Sequence, residues 1–103
     1  MQNSEIAAIF NNIARLLRLK KDNIFKIRAY EKAAHEIERM PVAVEQMVVG
    51  GRLKEIPGVG EAITQKITEL VTTGKLAYYE RLKAELMEEE PSAPEQDVPD
   101  SAG

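Results

Sequence analysis

The sequence predicts an all-α fold, a compact bundle of four to five short helices, two of them joined by a tight glycine-containing hairpin. Three observations predict it. Apolar residues recur at helical spacing in successive segments, beginning with Ile6, Ile9, Phe10, Ile13, Leu16 and Leu17. No segment alternates apolar and polar residues in the way a half-buried strand requires. Proline and glycine fall between the periodic segments rather than inside them, at Pro41, Gly50-Gly51, Pro57-Gly58, Gly60 and Gly74. With 103 residues the chain is one small domain with one modest core.

In chain order, Asn3-Ser4 offers an N-cap and Glu5 places a negative charge in the first turn of a helix reaching about Leu19. Arg15, Arg18, Lys20 and Lys21 gather at its C-terminal end, where the helix dipole favours cations. Asp22-Asn23 breaks the pattern and can cap a second helix, whose apolar stripe is Ile24, Ile27, Tyr30, Ala34, Ile37 and Met40. Ala29, Ala33 and Ala34 let a neighbouring helix approach closely, and Lys26, Arg28 and Lys32 face outward. Pro41 ends that run and suits the first position of a short third helix carrying Val44, Met47 and Val48, which Gly50-Gly51 stops.

Arg52 to Glu55 is a brief helical turn that enters Ile56-Pro57-Gly58-Val59-Gly60. Pro57 cannot extend the preceding turn. Gly58 and Gly60 are free to take positive φ and leave the backbone bare on one side. A helix follows from Glu61, with Ile63, Ile67, Leu70 and Val71 as its stripe and Gly74 as its terminator. The first N–H groups of that helix have no partner within it. Bare amides at a helix N-terminus attract an anion, and a DNA phosphate is the natural one. A last helix is expected from Leu76 to Met87, its periodic face Leu76, Tyr79, Leu82 and Leu86.

After Met87 the composition changes. Residues 88–103 contain six acids, no Lys or Arg, and Pro91, Pro94 and Pro99, with Val98 as the one large apolar residue. Such a segment cannot bury enough surface to offset its chain entropy, so it is expected to be a disordered acidic tail. The domain is therefore read as residues 1–87.

The charge balance also divides there. Of 17 acids, 11 precede residue 88 and face 14 Lys and Arg, so the body is +3 while the whole chain is −3. A mildly basic body suits a phosphate-bearing partner without demanding one. There is no Cys and a single His, His35, which excludes thiolate metal sites, disulfides and a His-based metal cluster. No apolar run approaches a membrane span, and the chain is read as a cytoplasmic monomer with no membrane partner.

Ile-Pro-Gly-Val-Gly followed by Ile63 and Ile67 looks like the helix-hairpin-helix motif, whose hairpin grips the DNA backbone without reading sequence. The resemblance extends to Asn3-Ser4-Glu5-Ile6, to Asn23-Ile24-Phe25-Lys26-Ile27-Arg28-Ala29-Tyr30, and to Thr73-Gly74-Lys75-Leu76. With those blocks the chain resembles, from Asn3 to about Leu86, the amino-terminal domain of family X DNA polymerases, the polymerase beta family, in its bacterial and archaeal form.

That resemblance implies a domain that binds gapped or nicked DNA near a 5′-phosphate in DNA repair. Gly58, Val59, Gly60 and Lys66 would contact phosphate, with Lys26 and Tyr30 matching two residues of the family's 5′-phosphate pocket. The backbone carbonyls of Lys54, Ile56 and Val59 match those that hold a monovalent cation, Na+ or K+, and no further cofactor is required. Lys66 matches the lysine that, in the beta-type enzymes, forms a Schiff base and removes 5′-deoxyribose phosphate by β-elimination.

The sequence departs from the family at four pocket positions. Ala62 and Tyr78 stand where lysines do, Phe25 where a His does, and Gln65 where a Glu does. Fewer cations would weaken phosphate capture and remove like charge that depresses the pKa of Lys66, so DNA binding is expected to carry over better than lyase chemistry. There is no Asp-x-Asp pair, so two-metal nucleotidyl transfer is not assigned to these residues. The acidic segment stands where a polymerase would run on towards a second hairpin, which favours a free-standing relative. Three functions follow: a non-enzymatic DNA-binding module, a deoxyribose-phosphate or abasic-site lyase using Lys66, and a protein-interaction module whose acidic tail would meet a partner such as a repair protein.

Overall fold

In a computed structural model of the chain, residues 1–89 are described, with side chains through Met87. They form α1 (Asn3–Leu19), α2 (Ile24–Arg39), α3 (Val44–Gly50), a 3₁₀ turn (Leu53–Glu55), α4 (Glu61–Thr73) and α5 (Ala77–Glu89), with no strand among the described residues. None of these helices is long and apolar enough to cross a membrane.

The dominant packing is α1 against α2, and the residues at that seam explain it. Ala7 and Ala14 on α1, and Ala33 and Ala34 on α2, are all essentially inaccessible, which lets the two backbones come close. Around them lie Ile6, Phe10, Ile13 and Leu17 from α1 and Ile27, Tyr30 and Ile37 from α2. Phe10 meets Tyr30 edge-to-face, ring centroids 5.7 Å apart at 88°, the geometry that aromatic quadrupoles favour. Ile24, placed on the α2 stripe by its spacing, is 40% exposed because it is the first residue of the helix and projects beyond the core.

The second half packs through Val44 and Met47 of α3, Leu53, Ile56 and Val59 of the hairpin, and Ile63, Ile67 and Leu70 of α4, with Leu76 and Leu82 closing the cluster from α5. The same apolar cluster runs through both halves, so the hairpin is anchored by its side chains while its backbone faces outward.

Four boundaries differ from the sequence reading. The cap of α1 is Gln2, not Asn3-Ser4: the Gln2 N–H donates to Glu5 Oε1 at 2.7 Å. Asn3 does longer-range work instead. Its amide donates to the Val42 carbonyl at 2.8 Å and accepts the Val44 N–H at 2.8 Å, tying α1 to the start of α3. Pro41 lies in the turn before α3 rather than at its first position, since Ala43 is the N-cap. The last helix starts one residue later than expected, at Ala77, whose N–H donates to the Glu69 carboxylate at 2.8 Å. It also continues to Glu89, past Met87. The disorder expected of residues 88–103 does not extend to Glu88 and Glu89, which continue α5, and its remainder, residues 90–103, lies outside the described residues.

Asn23 caps α2 as its position suggests, its side chain accepting the Phe25 N–H at 2.7 Å. The turn before it has an unusual feature. Lys21 sits at φ 61 without being glycine. It occupies the left-handed position of a Schellman ending, where the Asp22 N–H reaches the Leu17 carbonyl and the Lys21 N–H the Arg18 carbonyl, both at 3.0 Å.

Candidate nucleic-acid interface

The hairpin is built from the backbone. Ile56 closes the 3₁₀ turn, and its carbonyl accepts the Val59 N–H at 3.1 Å across Pro57-Gly58. Gly58 takes φ 83, which its lack of a Cβ permits. Gly60 does not share that conformation. Its backbone is extended, at φ −100 and ψ −164, and it serves as the N-cap of α4. A Cβ at Gly60 would meet nothing within 4 Å. Glycine is thus demanded at 58 by the chain's own geometry, whereas at 60 it leaves open space in front of α4.

Facing that space, the N–H groups of Gly60, Glu61, Ala62 and Ile63 find no protein acceptor among the described residues. They are the orphan donors of a helix N-terminus, backed by its dipole. Glu61 stands beside them and pairs with Lys54, which holds the Glu61 carboxyl below its ordinary value. The carbonyls of Lys54 and Val59 accept no hydrogen bond among the described residues, and that of Ile56 accepts one. Each of these three carbonyl oxygens thus keeps a free lone pair. No cluster of three or more His, Cys, Asp or Glu side chains able to hold a metal occurs among the described residues.

The second part of the interface is an open cleft of about 200 Å³ between the α1–α2 turn and α5, lined by Lys20, Asp22, Lys26, Tyr78, Arg81, Leu82 and Glu85. Its centre is the Tyr78 ring. Lys66 lies outside the cleft lining, with its Nζ 4.9 Å from the Tyr78 ring centroid, and Lys26 Nζ lies 5.6 Å from it, so one aromatic ring draws together cations from α4 and α2. Tyr30 stacks behind Tyr78 at 6.1 Å and 10°. It is 4% exposed and does not line the cleft, and its burial pushes the hydroxyl well above its ordinary value. Two carboxylates partly neutralise the cleft: Glu85 accepts from Lys20 at 2.8 Å, and Asp22 lies 3.7 Å from Lys26.

Lys66 is half-buried, and its pKa is lowered, first by that burial and then by the positive charge of Lys26; Glu69 pulls the other way, and Arg81 adds the smallest contribution. Of the like charge that Ala62 and Tyr78 do not supply, Lys26 provides the main part, and Tyr78 covers the amine. Arg81 carried no signal in a motif search, because it lies on α5, outside every block of resemblance. Of the other departures, Gln65 donates to Glu61 at 3.4 Å and so turns towards the hairpin. Phe25 is 75% exposed on the first turn of α2.

Residues 1–76 match the helix-hairpin-helix domain family, and both the glycine hairpin and its two flanking helical segments fall inside that range. The chain belongs to the helix-hairpin-helix domain family. Its relatives agree with the resemblance drawn from the sequence. The chain is 34% identical over 84 residues to DNA polymerase lambda of Arabidopsis thaliana, a match covering 81% of this chain and 15% of that protein. It is 30% identical over 88 residues to the DNA polymerase/3′-5′ exonuclease PolX of Bacillus subtilis, covering 85% of this chain and 15% of that protein. These matches are homology to the N-terminal region of family X DNA polymerases. The chain spans about one-seventh of the length of either relative.

Proposed function

We propose that this chain is a sequence-independent DNA-binding module that holds gapped or nicked DNA by its phosphate backbone during repair. It acts as a monomer in the cytoplasm and has no polymerase activity of its own. The observation that carries the reading is the α4 N-terminus: four N–H groups without protein acceptors stand behind a position, Gly60, where no side chain intervenes. Backbone amides bind phosphate oxygens of any sequence alike. The relatives, both named as DNA polymerases, support DNA as the source of the phosphate.

The two parts have different duties in this proposal. The hairpin grips an internal phosphodiester at Gly58 and Gly60, while Val59, whose N–H is held by the Ile56 carbonyl, takes part through its own carbonyl, with Na+ or K+ on the carbonyls of Lys54, Ile56 and Val59 bridging to phosphate. The cleft takes the more highly charged 5′-phosphate through Lys26 and Lys66, with Tyr30 supporting Tyr78 from behind. Binding to duplexes that differ only in a 5′-phosphate at the gap tests this: the phosphorylated duplex binds more tightly, and the difference shrinks as salt rises. Equal binding of both would remove the cleft from the account.

A second reading is favoured by the state of Lys66. A lysine amine held below its ordinary pKa is more often unprotonated at neutral pH and can attack an aldehyde. On an abasic deoxyribose the Lys66 nitrogen would add to C1′, lose water to form the protonated Schiff base, and let the C2′ proton depart to solvent. The C3′–O bond then breaks and leaves a 5′-phosphorylated end. Borohydride reduction of an abasic duplex tests it: a covalent adduct that Lys66→Ala abolishes supports the lyase, and an adduct that persists refutes the assignment to Lys66.

A further inference from the structure

We infer that Lys32, on α2, is a phosphate ligand of the hairpin, a role outside the glycine motif and the cleft; the inference rests on the DNA-binding reading above. The stem of Lys32 lies across Gly58. A Cβ on Gly58 would fall 2.8 Å from Lys32 Cδ and 2.8 Å from Cε, with Cγ at 3.1 Å. The bare face of the glycine is therefore covered by methylene groups of a residue 26 positions earlier in the chain. A lysine that lays its stem on apolar surface carries its ammonium on towards water. Here that places a positive charge at the turn that leads into the free amides of α4.

The other cations of this region are already matched. Lys54 pairs with Glu61, and Arg52 pairs with Glu55 at 3.1 Å. Lys32 is exposed and forms no ion pair among the described residues. An unmatched ammonium beside unmatched N–H groups complements a phosphodiester oxygen, as a point charge rather than a planar fork. Lys32 follows Lys26 by six residues, about 9 Å along the α2 axis and about 120° around it, so the two serve different sites: Lys26 the cleft, Lys32 the hairpin.

The test is a salt series on the full chain with a one-nucleotide-gapped duplex and an intact duplex, comparing wild type, Lys32→Gln, Lys32→Arg, Gly60→Val and Lys75→Gln. Lys75 lies beyond the far end of α4, about 20 Å from the hairpin by helical rise, and measures the generic effect of removing one charge. The expected result is that Lys32→Gln weakens both duplexes about five- to tenfold and makes the log–log salt slope shallower by about one. Lys32→Arg restores both, and Lys75→Gln leaves the slope unchanged. If Lys32→Gln binds like wild type, or no worse than Lys75→Gln, while Gly60→Val loses affinity, the inference is wrong and the hairpin reading stands. If neither Lys32→Gln nor Gly60→Val alters binding, the hairpin is not the site and both fall.

Discussion

In the proposed function the hairpin and the cleft would bind anions by different physics. At the hairpin the donors are backbone amides, and their direction follows from a local chain path of six residues, Ile56 to Glu61. At the cleft the donors are side chains, Lys26 of α2 with Lys66 of α4 beside it, brought to one tyrosine ring of α5 by tertiary packing. The first arrangement is robust to most side-chain changes and sensitive to any Cβ that blocks the backbone. The second is sensitive to single charges and to the orientation of helices. Because the two are separately breakable, substitutions can set them against each other.

The largest effect separates chemistry from binding. If the lyase reading holds, Lys66→Ala should abolish borohydride-trapped adducts altogether while leaving hairpin-dependent duplex affinity within a few-fold, as measured by titration of unmodified DNA. Arg81→Gln should act on the same amine more mildly. Losing a positive neighbour raises the Lys66 pKa, so trapping at neutral pH slows and its pH profile moves to higher pH. An unchanged profile would remove Arg81 from the cleft's electrostatics.

Next in size is the shared core. Phe10→Ala removes a fully buried ring that packs on Tyr30 and should cost about 3–5 kcal/mol in denaturant unfolding. Through Tyr30 and Tyr78 it should harm the cleft more than the hairpin. Gly58→Ala and Gly60→Ala then divide the hairpin's two glycines. At Gly58 the positive φ makes alanine cost about 1–2 kcal/mol of stability. At Gly60 the cost is within about 1 kcal/mol, and the loss appears instead in affinity for every DNA sequence alike.

Asn23→Ala should cost about 1 kcal/mol and loosen the α2 turn that carries Lys26, weakening the 5′-phosphate preference without touching the hairpin. The smallest effect is a gain. Lys21→Gly relieves a left-handed lysine and should stabilise the chain by about 1 kcal/mol in the same unfolding measurement.

These contrasts also explain what the sequence could disclose. The helices, the Gly58 turn and the Gly74 terminator are local events, so spacing and residue type announce them. Two boundaries were missed because tertiary contacts took the residues concerned: Asn3 abandons its local cap to bond Val42 and Val44, and Glu69 reaches across the turn to cap α5 at Ala77. Gly58 and Gly60 read alike in sequence but are used differently, since only one has positive φ. The cleft was half legible. Lys26 and Lys66 came from resemblance, while Arg81, the central place of Tyr78, and the withdrawal of Tyr30 behind it depend on how α5 lies against α1 and α2. Lys32 across Gly58 is a contact between distant segments that no local pattern encodes.

The most direct test of the central claim is the affinity of the full chain for a one-nucleotide-gapped duplex, with and without a 5′-phosphate, across a salt series. The account predicts binding that weakens steeply with salt, is indifferent to sequence and is tightest with the 5′-phosphate present. Absence of binding to either duplex at low salt would contradict it and leave a helix-hairpin-helix fold without the phosphate grip its geometry offers.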